Sequence, residues 1–246
     1  MNSKILLLGG SGTLGSKIIK SNFFTNLKSP PKKKLNILNK TEIENFLIKH
    51  EINLIIHCAA IARVKDCEGN KNMAKKININ GTKNIISAIL KIKKVYNRKI
   101  KLVFISTDAV YSDTKGNFKE TDRLTPYNYY GYTKMKGEKL VKQIDEYIII
   151  RTRFFDKNKI PFKYSARNIY TSAIEVNKLV KHISHLVKKE FQGIINIGGP
   201  RISDYKKYKR YNKKLISCDK KKIFSELNFK IATDASLNLS KFKKIL

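Results

Sequence analysis

The run Ile5-Leu6-Leu7-Leu8-Gly9-Gly10-Ser11-Gly12-Thr13-Leu14-Gly15 decides how the rest of the chain is read. Four consecutive apolar residues suit a strand buried on both faces, and the glycines behind it let the chain turn tightly. Backbone N–H groups in such a turn approach a pyrophosphate closely, and the N-terminus of the following helix adds free donors and the positive end of its dipole. The glycines fall at 9, 12 and 15, a G-x-x-G-x-x-G spacing one residue wider at its start than the usual dinucleotide fingerprint. Gly9, Gly12, Thr13, Leu14 and Gly15 are the first candidate cofactor-binding residues, with Gly15 letting the helix pack on the strand.

Outward from this turn, β-rich runs at 4–9, 53–58, 101–106 and 147–152 alternate with helical patterns at 13–23, 41–49, 73–94, 129–144 and 176–188. Such alternation predicts an α/β, Rossmann-like, doubly wound parallel sheet with right-handed crossovers. Residues 1–152 are expected to form the dinucleotide-binding domain, and 153–246 a small C-terminal substrate lobe interleaved with the last strands. Thr41 followed by Glu44 has capping-box spacing and predicts a helix start at Thr41.

With 246 residues and 41% hydrophobic content, the chain is long enough for a full core. Its apolar runs are too short to span a bilayer, and the N-terminal stretch passes into the glycine turn instead of a cleavage site. Cys58, Cys67 and Cys218 are odd in number and lack C-x-x-C spacing, which predicts reduced thiols in a cytoplasmic protein. The 52 Lys and Arg against 19 Asp and Glu give a net charge of +33. Because the lysines are spread along the whole chain, they read as a solvated surface that attracts anionic ligands, and no nucleic-acid motif accompanies them. His50, His182 and His185 have no carboxylate or cysteine at ligand spacing, so no metal site is expected.

No Asp or Glu precedes Glu42, so the acid that would hold the ribose hydroxyls of NAD after a second strand is missing. Lys32, Lys33 and Lys34 stand in that region and suit the 2′-phosphate of NADP. NADP (NADPH) is therefore the preferred cofactor, with NAD as the alternative.

Tyr130 and Lys134 sit four residues apart on an expected helix, which puts both on one face. An ammonium near a phenol favours phenolate and lowers its pKa from about 10. Ser106-Thr107-Asp108 follows a strand at its C-terminal end, where open α/β sheets bind ligands. Of the two hydroxyls, Thr107 is the candidate that binds a substrate carbonyl, and Ser106 is read as a strand-end residue.

These motifs resemble the extended short-chain dehydrogenase/reductases, and within them the dTDP-4-dehydrorhamnose reductase-like branch. His57-Cys58-Ala59-Ala60 is similar to the family's Asn-x-Ala-Ala strand end, and Asn78-Ile79-Asn80-Gly81-Thr82 to its asparagine-bearing helix segment. Ser106-Thr107-Asp108-Ala109-Val110-Tyr111 resembles its Ser-Thr-Asp signature. The stretch from Pro126 through Tyr130, Gly131 and Lys134 to Gly137-Glu138 resembles its Tyr-x-x-x-Lys block. Arg151-Thr152, Tyr170-Thr171-Ser172, the stretch from Gly193 to Gly199 and the closing Ser236-Leu237 to Lys241 are weaker matches in the same order.

The resemblance implies Thr107, Tyr130 and Lys134 as catalytic residues. It implies Cys58, Ala59, Ala60, Asn78 and Lys134 beside the cofactor, and Val64, Asp108 and Phe154 against the substrate. The implied reaction is reduction of a nucleotide-linked keto-sugar by NADPH, with Thr107 on the carbonyl oxygen, Tyr130 as proton donor, and Lys134 on the nicotinamide ribose. It also leaves room for a homodimer and a role in surface-polysaccharide precursor synthesis. His57 departs from the pattern and reads as a buried strand histidine with one hydrogen bond. Ala109 stands where sugar dehydratases carry the Glu of an Asp-Glu pair, which disfavours elimination. The alternatives are an epimerase on the same scaffold and a non-catalytic NAD(P)-binding regulatory subunit.

Overall fold

The computed structural model of the protein describes residues 3–111 and 115–246. Its centre is a six-stranded, wholly parallel sheet of β1 (Ile5–Leu8), β2 (Leu27–Lys28), β3 (Leu54–His57), β4 (Lys101–Thr107), β5 (Tyr147–Thr152) and β6 (Gly193–Ile197). The strands lie in the order β6-β5-β4-β3-β1-β2. The chain leaves β1 toward one edge and returns through β3 on its other side, so the topological switch falls between β1 and β3, where α/β sheets open their ligand crevice.

Alternation along each strand splits the core in two. Leu7, Ile56, Val103, Ile150 and Ile195 point to one face, where α1 (Thr13–Lys20) and α5 (Val176–Lys188) add Ile18, Leu179 and Ile183. Leu6, Leu8, Ile55, Phe104 and Ile149 point to the other. They meet Leu47 of α2 (Lys40–Lys49), Ile85 and Ile89 of α3 (Gly81–Tyr96), and Val141 of α4 (Tyr129–Val141). Helices on both faces explain why the strands are unbroken apolar runs.

Two local expectations are corrected. Helix α2 starts at Lys40 with Asn39 as its N-cap: Asn39 Oδ1 accepts from the Glu42 amide at 3.2 Å, and the Glu42 carboxylate accepts from Asn39 Nδ2 and from the Asn36 amide. The reciprocal box thus lies two residues earlier than Thr41 and Glu44, because Asn39 is extended and Glu44 is drawn to Lys40 and Lys91 instead. The continuous helix expected over 73–94 is broken into Lys71–Ala74, a π-helical turn Lys75–Asn80, and α3. The π turn brings Asn78 inward, where it binds Ile61 and Thr133. Such turns occur at functional sites.

Beyond β5 the chain forms short pieces: Phe154–Phe155 paired with Ile174–Glu175, Tyr164–Ala166 with Ile216–Cys218, and a three-stranded sheet of Ile202–Ser203, Tyr170–Thr171 and Asp234–Ala235. These follow the C-terminal end of β5 in the chain, while α5 and β6 return to the main sheet. No helix among the described residues is long and apolar enough to cross a membrane.

Candidate active site

Gly9 follows β1 with φ +90°, and a Cβ there would stand 2.5 Å from the Ala59 nitrogen, so the turn after β1 and the strand end after β3 touch backbone to backbone. Only glycine meets both demands. A Cβ on Gly15 would overlap the Gly9 carbonyl oxygen, so the third glycine seats α1 on the turn. Helix α1 is capped at Gly12 without a side-chain acceptor and has no acid in its first turn, which leaves its N-terminal donors facing outward.

The turn forms one wall of a 650 Å³ cleft, which Cys58, Ala59, Ala60 and Ile61 close on the β3 side and Ser29 to Lys32 on the β2 side. Of the three lysines expected near a 2′-phosphate, Lys32 lines this cleft, and no acidic side chain does. Its size and donors fit a dinucleotide.

Helix α4 carries Tyr130 and Lys134. Asn128 caps it, accepting from the Gly131 amide at 2.9 Å, and Glu68 accepts from the Tyr129 amide at 2.6 Å. Two glycines let it lie close to β4: a Cβ on Gly131 would overlap the Ala109 carbonyl, and one on Gly137 would stand 2.7 Å from Phe104. That approach delivers the Tyr130 phenol to the hydroxyl of Thr107 at the end of β4.

The structure separates the two candidate hydroxyls. Ser106 donates to Glu138 Oε1 at 2.6 Å, inside a buried lattice in which Arg151 Nη2 meets Glu138 Oε2 at 2.7 Å and Arg151 Nη1 meets the Tyr111 hydroxyl at 2.6 Å. Thr107 Oγ1 accepts from the Ala109 amide at 3.1 Å, and its single proton has two acceptors in reach, Asp108 Oδ1 at 3.2 Å and the Tyr130 oxygen.

Burial pushes the Tyr130 pKa up, with the Asp108 carboxylate adding to it, against a smaller opposing pull from Thr107. The expectation that Lys134 lowers it is not met. The Lys134 ammonium stands 3.9 Å from the centre of the Phe104 ring, and burial brings its own pKa down to about 8 against the pull of Glu138, Cys58 and Cys67. A phenol held protonated in this way is a proton donor.

The other expected residues have the following surroundings. Asn78 is 1% exposed: its Oδ1 accepts from the Ile61 amide at 2.8 Å, and its Nδ2 donates to the Ile61 carbonyl and to Thr133 Oγ1. Its amide braces the cleft wall against α4. Asp108 is as deeply buried and pairs with Arg153 Nε at 2.7 Å, and desolvation raises its pKa. Val64 begins the helix Val64–Gly69 and is half-buried, as is Phe154, which packs on the core beside its strand partner Ile174. Burial brings His57 down to about 3, and its Nε2 lies 3.2 Å from Thr82 Oγ1, so it stays neutral. Burial pushes the thiols of Cys58 and Cys67 up to about 12 and about 11, and neither is a nucleophile here.

Sequence reading missed Arg153. Its partner lies 45 positions earlier in the chain, and no local spacing links the two.

The family model described as RmlD substrate binding domain matches residues 3–168. Among curated proteins, methionine adenosyltransferase 2 subunit beta from Bos taurus is 27% identical over 149 residues, covering 57% of this chain and 43% of that protein. The dTDP-4-dehydrorhamnose reductase of Aggregatibacter actinomycetemcomitans is 27% identical over 209 residues, covering 82% of this chain and 64% of that one. The matched stretches thus span less than two thirds of these curated relatives. Among solved structures, the dTDP-4-dehydrorhamnose reductase of Bacillus anthracis in complex with NADP has a TM-score of 0.87 at 21% identity, covering 99% of this chain and 93% of that one. At that identity the likeness is one of fold.

Proposed function

The chain belongs to the RmlD substrate binding domain family, and from that premise we propose that it is an NADPH-dependent reductase of a nucleotide-activated 4-keto sugar. The observation that carries this reading is the pairing of the Tyr130 phenol with the Thr107 hydroxyl at the C-terminal edge of the parallel sheet, the edge from which the glycine turn after β1 also emerges. The names of its relatives support it: one curated reductase acts on a dTDP-linked sugar, and one fold neighbour holds NADP.

The glycine turn and the N-terminus of α1 hold the pyrophosphate, Lys32 holds the 2′-phosphate, and Lys134 holds the nicotinamide ribose. The dinucleotide, when bound, supplies the hydride. Thr107 donates to the carbonyl oxygen and so fixes the ketone's orientation. Tyr130, kept protonated by burial, gives its proton to that oxygen as negative charge develops there. Asn78 keeps Ile61 and α4 in register. Residues 153–246 contribute the wall that meets the sugar.

Oxidation of NADPH, followed by absorbance with a panel of nucleotide-linked 4-keto sugars, tests this on wild type beside Tyr130→Phe, with NADH as the comparison cofactor. Turnover that falls at least a hundredfold in the variant while NADPH binding stays intact is the expected result. NADPH binding without turnover of any keto-sugar favours a second reading, a subunit that serves another enzyme, for which the likeness to an adenosyltransferase subunit speaks. Failure to bind NADPH rejects both.

A further inference from the structure

The geometry points to Arg153 as a specificity residue that reads an oxyanion fixed to the substrate near its reacting carbonyl, with Asp108 as the group that holds it for that task. This rests on the reading of the cleft as a keto-sugar site.

Arg153 follows β5 at the C-terminal edge of the sheet, and its Nε lies 2.7 Å from Asp108 Oδ2. The other oxygen of that carboxylate accepts from Thr107, so a single carboxylate stands between the guanidinium and the catalytic hydroxyl. A guanidinium carries five N–H donors in a rigid fork. Among the described residues, Asp108 is the only ion-pair partner of the Arg153 side chain, and the contact is made through Nε. The side chain is 34% exposed while Asp108 beneath it is 1% exposed.

The remaining charged and titratable groups around it are Asp204, Lys207 and Tyr208. The Lys207 ammonium binds Asp204 Oδ1 at 3.0 Å and also reaches Thr171, so Asp204 already has a cation of its own. Of these four charged side chains Arg153 is the most exposed, at 34% against 19% for Asp204, 5% for Lys207 and 1% for Asp108. Arg153 is close enough to Tyr130 for its charge to act on the phenol.

The pair through Nε leaves both Nη groups of this partly exposed side chain without a protein partner of their own among the described residues, more donors than a structural ion pair needs. The free Nη groups suit a planar or tetrahedral oxyanion held bidentately. A ketose ring has no such group, so the anion is either the phosphate nearest the sugar or a carboxylate on the ring. Both are the same chemistry to Arg153.

Calorimetric titration of the full chain loaded with NADPH distinguishes the two, with inorganic pyrophosphate and glucuronate as probes. One probe binding wild type, and binding Arg153→Gln at least tenfold more weakly with NADPH affinity within twofold of wild type, is the expected outcome, and the probe that binds names the source. Equal binding to both proteins, or no binding of either probe to wild type, overturns the inference. Arg153→Lys keeps the ion pair and loses the fork. It replaces the glutamine variant should that one lose NADPH binding, and a probe affinity equal to wild type overturns the inference equally. An unchanged KM for a turned-over keto-sugar in Arg153→Gln rejects this inference alone. Probe binding through Arg153 without reduction of any keto-sugar rejects the reductase reading alone.

Discussion

Replacing Glu138 by glutamine removes the one carboxylate that pairs with Arg151 among the described residues; the Arg151 side chain is 2% exposed against 1% for Glu138. Three short contacts converge on that carboxylate: Ser106 Oγ at 2.6 Å, Arg151 Nη2 at 2.7 Å and Arg151 Nε at 3.0 Å. A guanidinium left in the core without its counter-charge destabilises by about 3–5 kcal/mol. That is a large share of a folding free energy on the order of 5–15 kcal/mol. With a urea m-value of about 3 kcal/mol/M, the midpoint falls by roughly 1–1.7 M. Equilibrium urea unfolding followed by far-UV circular dichroism measures it. The double variant Glu138→Leu with Arg151→Met removes both charges, and its midpoint is expected to lie nearer wild type than that of Glu138→Gln, because the desolvation of both ions is removed with their attraction. A loss below about 1 kcal/mol in the single variant, or a double variant as unstable as the sum of the singles, refutes the reasoning.

Lys134 gives a pH signature in two opposite directions. Its pKa falls from 10.5 to about 8 in the folded chain, so the burden of a buried charge is fully present below pH 8 and fades as pH rises toward 10.5. Stability from this group therefore rises across that window, while NADPH affinity weakens as pH passes about 8 and the ammonium is lost; fluorescence titrations and thermal melts from pH 7 to 10, on wild type and Lys134→Met, read both, and flat profiles in wild type contradict the assignment. Gly15→Ala forces a Cβ into the Gly9 carbonyl and is expected to destabilise by about 1–3 kcal/mol and to weaken NADPH binding at least tenfold. Gly69→Ala, where a Cβ meets nothing within 4 Å, is its control, and equal behaviour of the two in melts and titrations rejects the steric account.

The apolar strands and their alternation with helices were legible in the sequence, because burial on both faces of a parallel sheet imposes apolar runs that no other arrangement favours. Expected strand positions agree with β1, β3, β4 and β5 to within a residue at each end, and the helix 176–188 coincides with α5. What failed was local: the N-cap of α2 is Asn39 and its capping partner Glu42, since Glu44 is drawn to lysines instead, and a π turn interrupted a periodic stretch. That turn adds one residue per ring and costs little in sequence pattern, so apolar spacing alone does not reveal it.

By itself, then, the sequence determined the backbone-scale features: a glycine turn behind a buried strand, a Tyr and a Lys one helical turn apart, and no acid where an adenosine ribose would rest. Each depends on residues a few positions apart, and the repeat of a helix or strand carries that information. Tertiary structure alone decided which hydroxyl stands by Tyr130, why Ser106 is held by Glu138, and that Asp108 lies beneath Arg153. It also decided that burial, with Asp108, raises the Tyr130 pKa. Those outcomes are contests between partners distant in the chain, settled by which groups lose water together once β4, β5 and α4 have packed.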